Sequence, residues 1–267
     1  MSRSTPLLQL EDLRVDIGAH HVLRSVSLAL PAGALYVLMG ANGSGKSTLG
    51  LALAGHPAYQ VAGGQAWLDG EDLLAMTPPQ RARAGLFLSF QSPPDIPGVK
   101  NGLFVRSAIN ARREAQGETP LDAVDFLDQA REQAAHLGLP EGLLARPVND
   151  GFSGGERKRN ELLQLALLRP RVALLDEIDS GLDVDGQRAL LRLVNARRAE
   201  GMACIVVSHY LQLIEQLEPD RVLRLDQGCL ADAGGLELAR ELARSGYAAT
   251  ARAEPAAAAA AAATEGA

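Results

Sequence analysis

A glycine-rich segment has the composition and spacing of a phosphate-binding loop, G-x-x-x-x-G-K-[ST]. It lies between an apolar run, Leu35–Met39, and a predicted helix over about residues 46–54. The glycines would let backbone N–H groups turn toward a β-phosphate, and the helix N-terminus favours an anion. Lys46 would neutralise the β- and γ-phosphates during catalysis, and the Ser47 hydroxyl would ligate Mg²⁺. The residues expected to bind MgATP here are Gly40, Ala41, Asn42, Gly43, Ser44, Gly45, Lys46, Ser47 and Thr48.

Two adjacent carboxylates, Asp176 and Glu177, follow a second apolar run. A buried strand of this kind delivers its last residues to the carboxyl edge of a parallel sheet, where ligands bind in open α/β folds. We expect Asp176 to hold the magnesium shell and Glu177 to polarise the attacking water as general base. Two acids after a strand can also form a simple helix cap, but beside a phosphate loop the catalytic interpretation is favoured.

A third motif, Phe152-Ser-Gly-Gly-Glu156, precedes the acidic pair and opens a predicted helix. The Ser153 hydroxyl and the backbone of Gly154 and Gly155 are suited to bind a γ-phosphate, yet the glycine-rich loop already supplies one phosphate site. The three motifs in this order resemble the ATP-binding cassette family. In that family this signature serves the nucleotide of the opposite subunit, which implies a head-to-tail dimer with two ATP molecules at its interface.

The resemblance extends to three further residues in the expected order: Gln91 after a predicted strand ending at Phe90, Asp183, and His209 after a predicted strand ending at Ser208. It implies that Gln91 senses magnesium or water and relays to a helical subdomain. It implies that Asp183 bridges the two subunits, and that His209 holds the γ-phosphate and orients water. A lone histidine after a strand is more often structural, but among these motifs a functional role is favoured.

Two segments, residues 90–99 and 151–161, resemble one branch of that family, the ATPases of SUF iron–sulfur cluster assembly, with similarity from about residue 7 to 247. Glu156, in place of the commoner glutamine, is shared with that branch. The resemblance implies a cytoplasmic ATPase that acts on SufB- and SufD-type scaffold proteins. The chain differs from the usual pattern at Ile17, where many cassettes have an aromatic residue on adenine, and at Ile178 and Asp95.

Three other interpretations are open. The same ATPase motifs occur in the nucleotide-binding subunit of an ABC membrane transporter, which would have a membrane protein as its partner. A protein in which ATP only clamps a dimer would be expected to lack the general base, and Glu177 is present. A P-loop kinase needs no second signature loop that acts in trans, so it is the least favoured.

The elements that must position these residues alternate between strand and helix, which predicts an α/β fold with a mostly parallel core sheet. As in the family, we expect an N-terminal antiparallel β subdomain and a helical subdomain inserted at about residues 92–165. Residues 1–247 are predicted to form one ATPase domain. The alanine-rich segment 248–267 is predicted to be a disordered tail.

Composition limits the class of partner. Hydrophobic residues make up 47% and charged residues 22%, as in a folded globular protein, and no apolar run is long enough to cross a bilayer. A net charge of −6 gives no basic field for nucleic acid. The two cysteines, Cys204 and Cys229, have no spacing for a disulfide or metal framework, so we expect a reducing compartment and no cluster ligands in this chain.

Overall fold

The structure, a computed structural model, describes residues 5–247, and the predicted tail lies outside the described residues. The strands are β1 Leu8–Ile17, β2 His20–Leu30, β3 Leu35–Met39, β4 Gln60–Leu68, β5 Glu71–Asp72, β6 Leu86–Ser89, β7 Ile96–Lys100, β8 Pro147–Val148, β9 Val172–Asp176, β10 Ala203–Val207, β11 Arg221–Asp226 and β12 Cys229–Gly234. The helices are α1 Lys46–Ala54, α2 Pro78–Arg83, α3 Asn101–Ala115, α4 Ala123–His136, α5 Gly154–Leu168, α6 Val184–Ala199, α7 Leu211–Leu217 and α8 Leu236–Ser245, with a short 3-10 helix at Glu141–Ala145.

Within residues 5–247, ten strands form one sheet in the order β5-β4-β1-β2-β12-β11-β3-β10-β9-β6. The strands β11, β3, β10, β9 and β6 pair in parallel, whereas β5, β4, β1 and β2 pair antiparallel. A parallel pair between Cys229 and Ser25 joins β12 to β2 and makes the two parts continuous. The predicted α/β class, with a parallel core and antiparallel N-terminal strands, is confirmed.

The central strands are buried on both faces. In β3, Leu35, Val37 and Met39 belong to one hydrophobic cluster, while Tyr36 and Leu38 belong to a second. The residues of β9 and β10 alternate between the same two clusters. Burial on both sides explains the near-continuous apolar sequences of these strands, which are typical of parallel sheets covered by helices. It also holds their carboxyl ends side by side, where the predicted site residues lie.

The predicted helical insertion lies between β6 and β9. It contains α3, α4, the 3-10 helix and α5, together with the small β7–β8 sheet. Val105 in α3, Phe126 in α4 and Leu163 in α5 are buried in the cluster that also covers one face of the main sheet. Among the helices of residues 5–247, none combines the length and apolar character needed to span a membrane.

The sequence predicts the central elements more accurately than the peripheral ones. The predicted bounds of β3 and α1 agree with the structure, the helix predicted to open at the signature motif is α5, and the buried strand predicted before the acidic pair is β9. The strand predicted to end at Phe90 ends at Ser89, and the Pro-rich segment after it contains β7. The strand predicted to end at Ser208 ends at Val207. The elements β11, β12 and α8 were not predicted.

Candidate functional site

The glycine-rich loop joins β3 to α1 and ends at the first-turn N–H groups of that helix. Gly45 is the N-cap, with a φ of 110°, and no side chain caps the first turn of α1. Those N–H groups are therefore available to an anion. A Cβ at Gly40 would overlap the carbonyl oxygen of Leu225, and one at Gly45 would overlap Leu23, so both positions require glycine. Ser44 Oγ is buried without a hydrogen-bond partner among the described residues, which fits a phosphate oxygen as its missing partner.

Lys46 is held over this loop by backbone carbonyls. Its Nζ donates to the carbonyl oxygens of Gly40 at 2.7 Å and Ala41 at 2.9 Å, and the residue is 8% exposed. Burial lowers the pKa of Lys46, while the carboxylates of Glu177 and Asp176 act in the opposite direction. The ammonium group is therefore a fixed, partly desolvated countercharge for an anion on the loop.

Asp176 ends β9 and lies beside the Ser47 hydroxyl at the start of α1. Burial raises the pKa of Asp176, and the Ser47 hydroxyl partly offsets that effect. Adjacent carboxylate and hydroxyl oxygens are ligands that Mg²⁺ accepts when phosphate oxygens complete its shell. No cluster of three or more His, Cys, Asp or Glu side chains able to hold a metal by itself occurs among the described residues.

Glu177 is brought together with two other predicted site residues. Its Oε2 accepts a hydrogen bond from Gln91 Nε2 at 3.0 Å, and its Oε1 lies 3.6 Å from His209 Nε2. The Glu177 backbone has a positive φ of 47°, and its N–H donates to the Val207 carbonyl at 3.0 Å. This unusual conformation for a non-glycine residue is held by the neighbouring strand. The side chain is 26% exposed, so water can reach the carboxylate.

His209 presents its two ring nitrogens to different surroundings. Nδ1 lies 2.7 Å from the Tyr247 hydroxyl, whereas Nε2 is buried and has no hydrogen-bond partner in the described part of the chain. Burial lowers the pKa of His209, and the positive charge of Lys46 lowers it further. The ring is therefore neutral near pH 7, with Nε2 on the side of Glu177.

Asp179 is a site residue that the sequence analysis missed. It is 3% exposed and accepts a hydrogen bond from the Ser208 hydroxyl at 2.9 Å. Ser208 Oγ in turn accepts from the Tyr210 N–H at 3.1 Å. Burial raises the pKa of Asp179, and the Ser208 hydroxyl partly offsets the effect. Asp179 therefore ties the turn that carries Glu177 to the turn that carries His209.

The signature motif forms the N-terminus of α5. Ser153 is the N-cap: its Oγ accepts from the Glu156 N–H at 3.2 Å, and the Glu156 carboxylate accepts from the Ser153 N–H at 2.8 Å. This reciprocal pair is a capping box. The hydrogen bond from the Ser153 N–H lowers the pKa of Glu156. The cap leaves the first-turn N–H groups of Gly154 and Gly155 free for another acceptor.

Asp183 caps α6 and contacts the signature helix. Its Oδ1 accepts from the Gly186 N–H at 2.8 Å, and both carboxylate oxygens accept from Arg159 Nη2, at 2.5 and 2.6 Å. The Gly186 N–H and then Arg159 lower the pKa of Asp183. Arg159 and Asp183 line a cavity of about 150 Å³ together with Gly155. The structure therefore places Asp183 beside the signature motif.

Comparison with protein families decides the class of this site. The model of the ABC transporter family matches residues 23–180, which contain the glycine-rich loop, Gln91, the signature motif and the acidic pair. The chain belongs to the ABC transporter family. It is an ABC ATPase, a cassette that binds and hydrolyses ATP.

Individual relatives of this ABC ATPase match nearly its whole length. It is 44% identical over 241 residues to the "Probable ATP-dependent transporter SufC" of Escherichia coli (strain K12), which covers 90% of this chain and 97% of that protein. It is also 44% identical to "Vegetative protein 296" of Bacillus subtilis (strain 168), over 92% of this chain and 93% of that protein. The solved structure of an ATP-binding subunit of an ABC transporter superposes with a TM-score of 0.75 at 24% identity, covering 88% of this chain and 93% of that one, which shows a shared fold.

A buried ion pair between Lys158 and Glu161 attaches the Gln91 loop to the signature helix. The sequence analysis did not predict this pair. Glu161 accepts from the Phe90 N–H at 2.8 Å and from the Ser89 hydroxyl at 3.1 Å. Lys158 Nζ donates to the Phe90 carbonyl at 2.7 Å and lies 3.4 Å from Glu161 Oε2. Burial raises the pKa of Glu161, with Lys158 opposing it. Movement of α5 is thereby linked to the loop that carries Gln91.

The residues that differ from the usual pattern have local explanations. Ile178 is fully buried in the hydrophobic core. Asp95 forms an ion pair with Arg157 at 2.8 Å, between the Gln91 loop and α5. Ile17 ends β1, pairs with His20 across the turn and is partly buried. Ile178 and Asp95 therefore contribute to packing and to loop attachment.

Proposed function

We propose that this ABC ATPase is the motor subunit of a SUF-type iron–sulfur cluster assembly complex in the cytoplasm. ATP binding would bring two copies together head to tail, and hydrolysis would change the conformation of SufB- and SufD-type scaffold proteins. The observation that carries the proposal is the 44% identity to Escherichia coli SufC over 90% of this chain. Residues 1–247 would act as one ATPase domain, with the helical subdomain inserted at about residues 92–165.

The cysteines of the chain support a cluster held by a partner. Cys204 is fully buried, and burial raises the pKa of its thiol to about 12. A thiol that stays protonated at neutral pH is a poor cluster ligand, because the thiolate is the form that binds metal. Cys229 is partly exposed and lies on β12. The cluster would therefore be cargo of the complex.

The site residues divide the hydrolytic work. The first-turn N–H groups of α1 and the Lys46 ammonium would bind the β- and γ-phosphates. Glu177, held by the Gln91 amide at 3.0 Å, would accept a proton from the attacking water. His209 Nε2, 3.6 Å from Glu177, would donate to the γ-phosphate and orient that water.

Ser47, Asp176 and Gln91 would hold Mg²⁺ in this site. The position of the Ser47 hydroxyl beside Asp176 supports a shared hard cation, since both offer oxygen ligands. When bound, the metal would neutralise charge that develops on the phosphate oxygens. In the structure the Gln91 amide donates to Glu177. A change in what this amide binds would therefore act on the loop that carries Gln91.

A head-to-tail dimer would give the signature motif its ligand. The Gly154 and Gly155 N–H groups, with Ser153, form an anion site at the N-terminus of α5, separate from the loop at α1. The γ-phosphate of one nucleotide could bind at the N-termini of both α1 and α5 of a single copy only if these two N-termini approached each other. A second copy that supplies its signature motif satisfies both sites, and Asp183 would lie at that interface.

The scaffold would dock on an apolar groove beside the Gln91 loop. The groove has a volume of about 400 Å³ and is lined by Pro78, Arg81, Phe87, Phe90, Ala108 and Leu168. Arg81 in this groove donates to the carbonyl oxygens of Ala52 and Leu53, both at 2.9 Å, in the last turn of α1. A partner seated here would touch both the helix that begins at the phosphate loop and the loop that carries Gln91.

The alternative is a transporter subunit, since several relatives are named as probable ATP-dependent transporters. Affinity purification of the tagged chain from soluble and detergent-extracted fractions separates the two. Co-purification of a SufB- and SufD-type pair with the soluble fraction is the expected result. Recovery of a polytopic membrane protein would refute the SUF role and leave only the ATPase mechanism.

The same purification tests the groove. Ala108→Arg adds a charge to the apolar surface and is expected to abolish capture of the scaffold while ATP binding is retained. Val124→Arg is the matched control, because Val124 lies on α4, is 68% exposed and does not line the groove. Equal capture of the scaffold by both variants would refute this docking surface.

A further inference from the structure

The C-terminal end of the described chain reaches the catalytic histidine. The helix α8 packs against α7 through buried Ala239 and Leu242 and through an ion pair between Arg240 and Glu215 at 2.8 Å. Gly246, with a φ of 72°, ends α8. Tyr247 follows, partly buried against the hydrophobic core. Its position is therefore set by a packed helix.

Tyr247 contacts His209 through both its hydroxyl and its ring. The hydroxyl lies 2.7 Å from His209 Nδ1, and the ring meets the histidine ring edge-on, with the centroids 5.8 Å apart. Burial raises the pKa of Tyr247, and the backbone N–H of Gly40, the first residue of the phosphate loop, only partly offsets this effect, so the hydroxyl keeps its proton.

The Glu177 carboxylate sets the direction of the hydrogen bond between Tyr247 and His209. A carboxylate only accepts, so the ring nitrogen that faces it, His209 Nε2, is more stable there as an N–H than as a lone pair. A neutral imidazole with its proton on Nε2 has its lone pair on Nδ1, and it accepts there from the Tyr247 hydroxyl. Nε2 is the buried nitrogen without a hydrogen-bond partner among the described residues, 3.6 Å from Glu177.

We propose that Tyr247 is a positioning residue that holds His209 as the Nε2–H tautomer and so directs an N–H donor at the reacting phosphate. The opposite tautomer would turn a lone pair toward a phosphate oxygen and repel it. The inference rests on the role proposed above for His209, and the test separates the two.

Tyr247→Phe removes the hydroxyl and keeps the ring. In two-bond ¹H–¹⁵N spectra of the full chain without nucleotide, the wild type should show His209 with a protonated Nε2 and an unprotonated Nδ1. The variant should show both nitrogens shifted toward an average of the two tautomers. His209→Asn assigns the signals. Tyr36→Phe is the control, since Tyr36 is a buried tyrosine whose hydroxyl donates to the Ala29 carbonyl at 3.0 Å on β2.

Steady-state hydrolysis of MgATP by the same proteins supplies the second measurement. Loss of one net hydrogen bond to the histidine should lower kcat about three- to tenfold. KM should stay within about twofold, because the direct phosphate contacts remain. An unchanged nitrogen pattern or an unchanged kcat in Tyr247→Phe would overturn the proposal. The spectra need neither turnover nor a scaffold, so wild-type kcat in His209→Asn would refute the role of His209 and leave the tautomer assignment standing.

Discussion

The substitution Glu177→Gln tests the proposed general base without changing the geometry around it. The Glu177 carboxylate accepts from Gln91 at 3.0 Å, and the amide oxygen of a glutamine can accept the same bond. The Val207 contact to the Glu177 N–H belongs to the backbone and is unaffected. The substitution therefore keeps the side-chain volume and these hydrogen bonds and removes the ability to take a proton. A general base contributes about 100- to 10,000-fold to rate, or about 3–5 kcal/mol of transition-state free energy.

We accordingly expect Glu177→Gln to lower kcat by about 100- to 10,000-fold, with ATP affinity retained. Phosphate release at saturating MgATP measures the first, and binding of a fluorescent ATP analogue measures the second. Size-exclusion chromatography with MgATP should show a trapped dimer. Glu237→Gln is the control, as Glu237 is an exposed residue of α8 that pairs with Arg240. Turnover within about threefold of wild type would refute the assignment, because no other effect of the substitution is large.

Three further substitutions test other parts of the site. Lys46→Ala should weaken ATP binding by about ten- to 100-fold, measured with the same analogue, because a charge-assisted contact to phosphate is lost; normal affinity would contradict this. Gly40→Ala should destabilise the fold by about 1–3 kcal/mol in urea unfolding, since its Cβ would overlap the carbonyl oxygen of Leu225. Lys158→Met should lower the free energy of unfolding by about 3–5 kcal/mol at neutral pH, because it leaves the Glu161 carboxylate buried without its countercharge. Burial raises the pKa of Glu161 above its ordinary 4.5, so the contribution of Glu161 to the free energy of unfolding is present below that pH and is lost as the pH rises. Without Lys158 this loss should be larger. A destabilisation by Lys158→Met that is equal at about pH 5 and about pH 8 would refute the prediction.

Local sequence patterns are sufficient for the parts of the site that lie within one element and its adjoining turn. The phosphate loop needs a strand, glycines and a helix start in immediate succession, and the acidic pair needs only a buried strand and its last residues. Both signals are complete within a short window. The order of elements also predicts a parallel core sheet, because β3, β9 and β10 are apolar throughout, as strands buried on both faces must be.

The missed elements have sequences that hide their burial. Strand β11 contains Arg224, which is 2% exposed and pairs with Asp232 on β12 at 2.7 Å. The charges make this hairpin resemble a surface segment, although its apolar residues lie in the core. An ion pair that neutralises a buried arginine is recognisable only when both partners are known, and the pattern of either strand alone does not provide that. The same reason explains why the sequence did not predict the ion pair between Lys158 and Glu161.

The missed site residues act through partners distant in sequence. Tyr247 meets His209 only because α8 packs on α7, and Glu161 meets Phe90 only because α5 returns to the edge of the sheet. These are residues that position others. Motifs alone therefore predict the groups proposed to bind phosphate, but not the residues that orient those groups.

The signature motif shows how this orientation can be built before any ligand binds. The Ser153 oxygen is used as an acceptor by the Glu156 N–H, which leaves its hydroxyl proton for an outside acceptor. The Glu156 carboxylate, which would repel a phosphate, is directed back to the Ser153 N–H and lies 3.5 Å from Arg146. A phosphate from a second copy would thus meet donors without breaking the cap of α5. In the proposed head-to-tail dimer, the arrangement that stabilises the helix in one chain would also make it a phosphate site for the other.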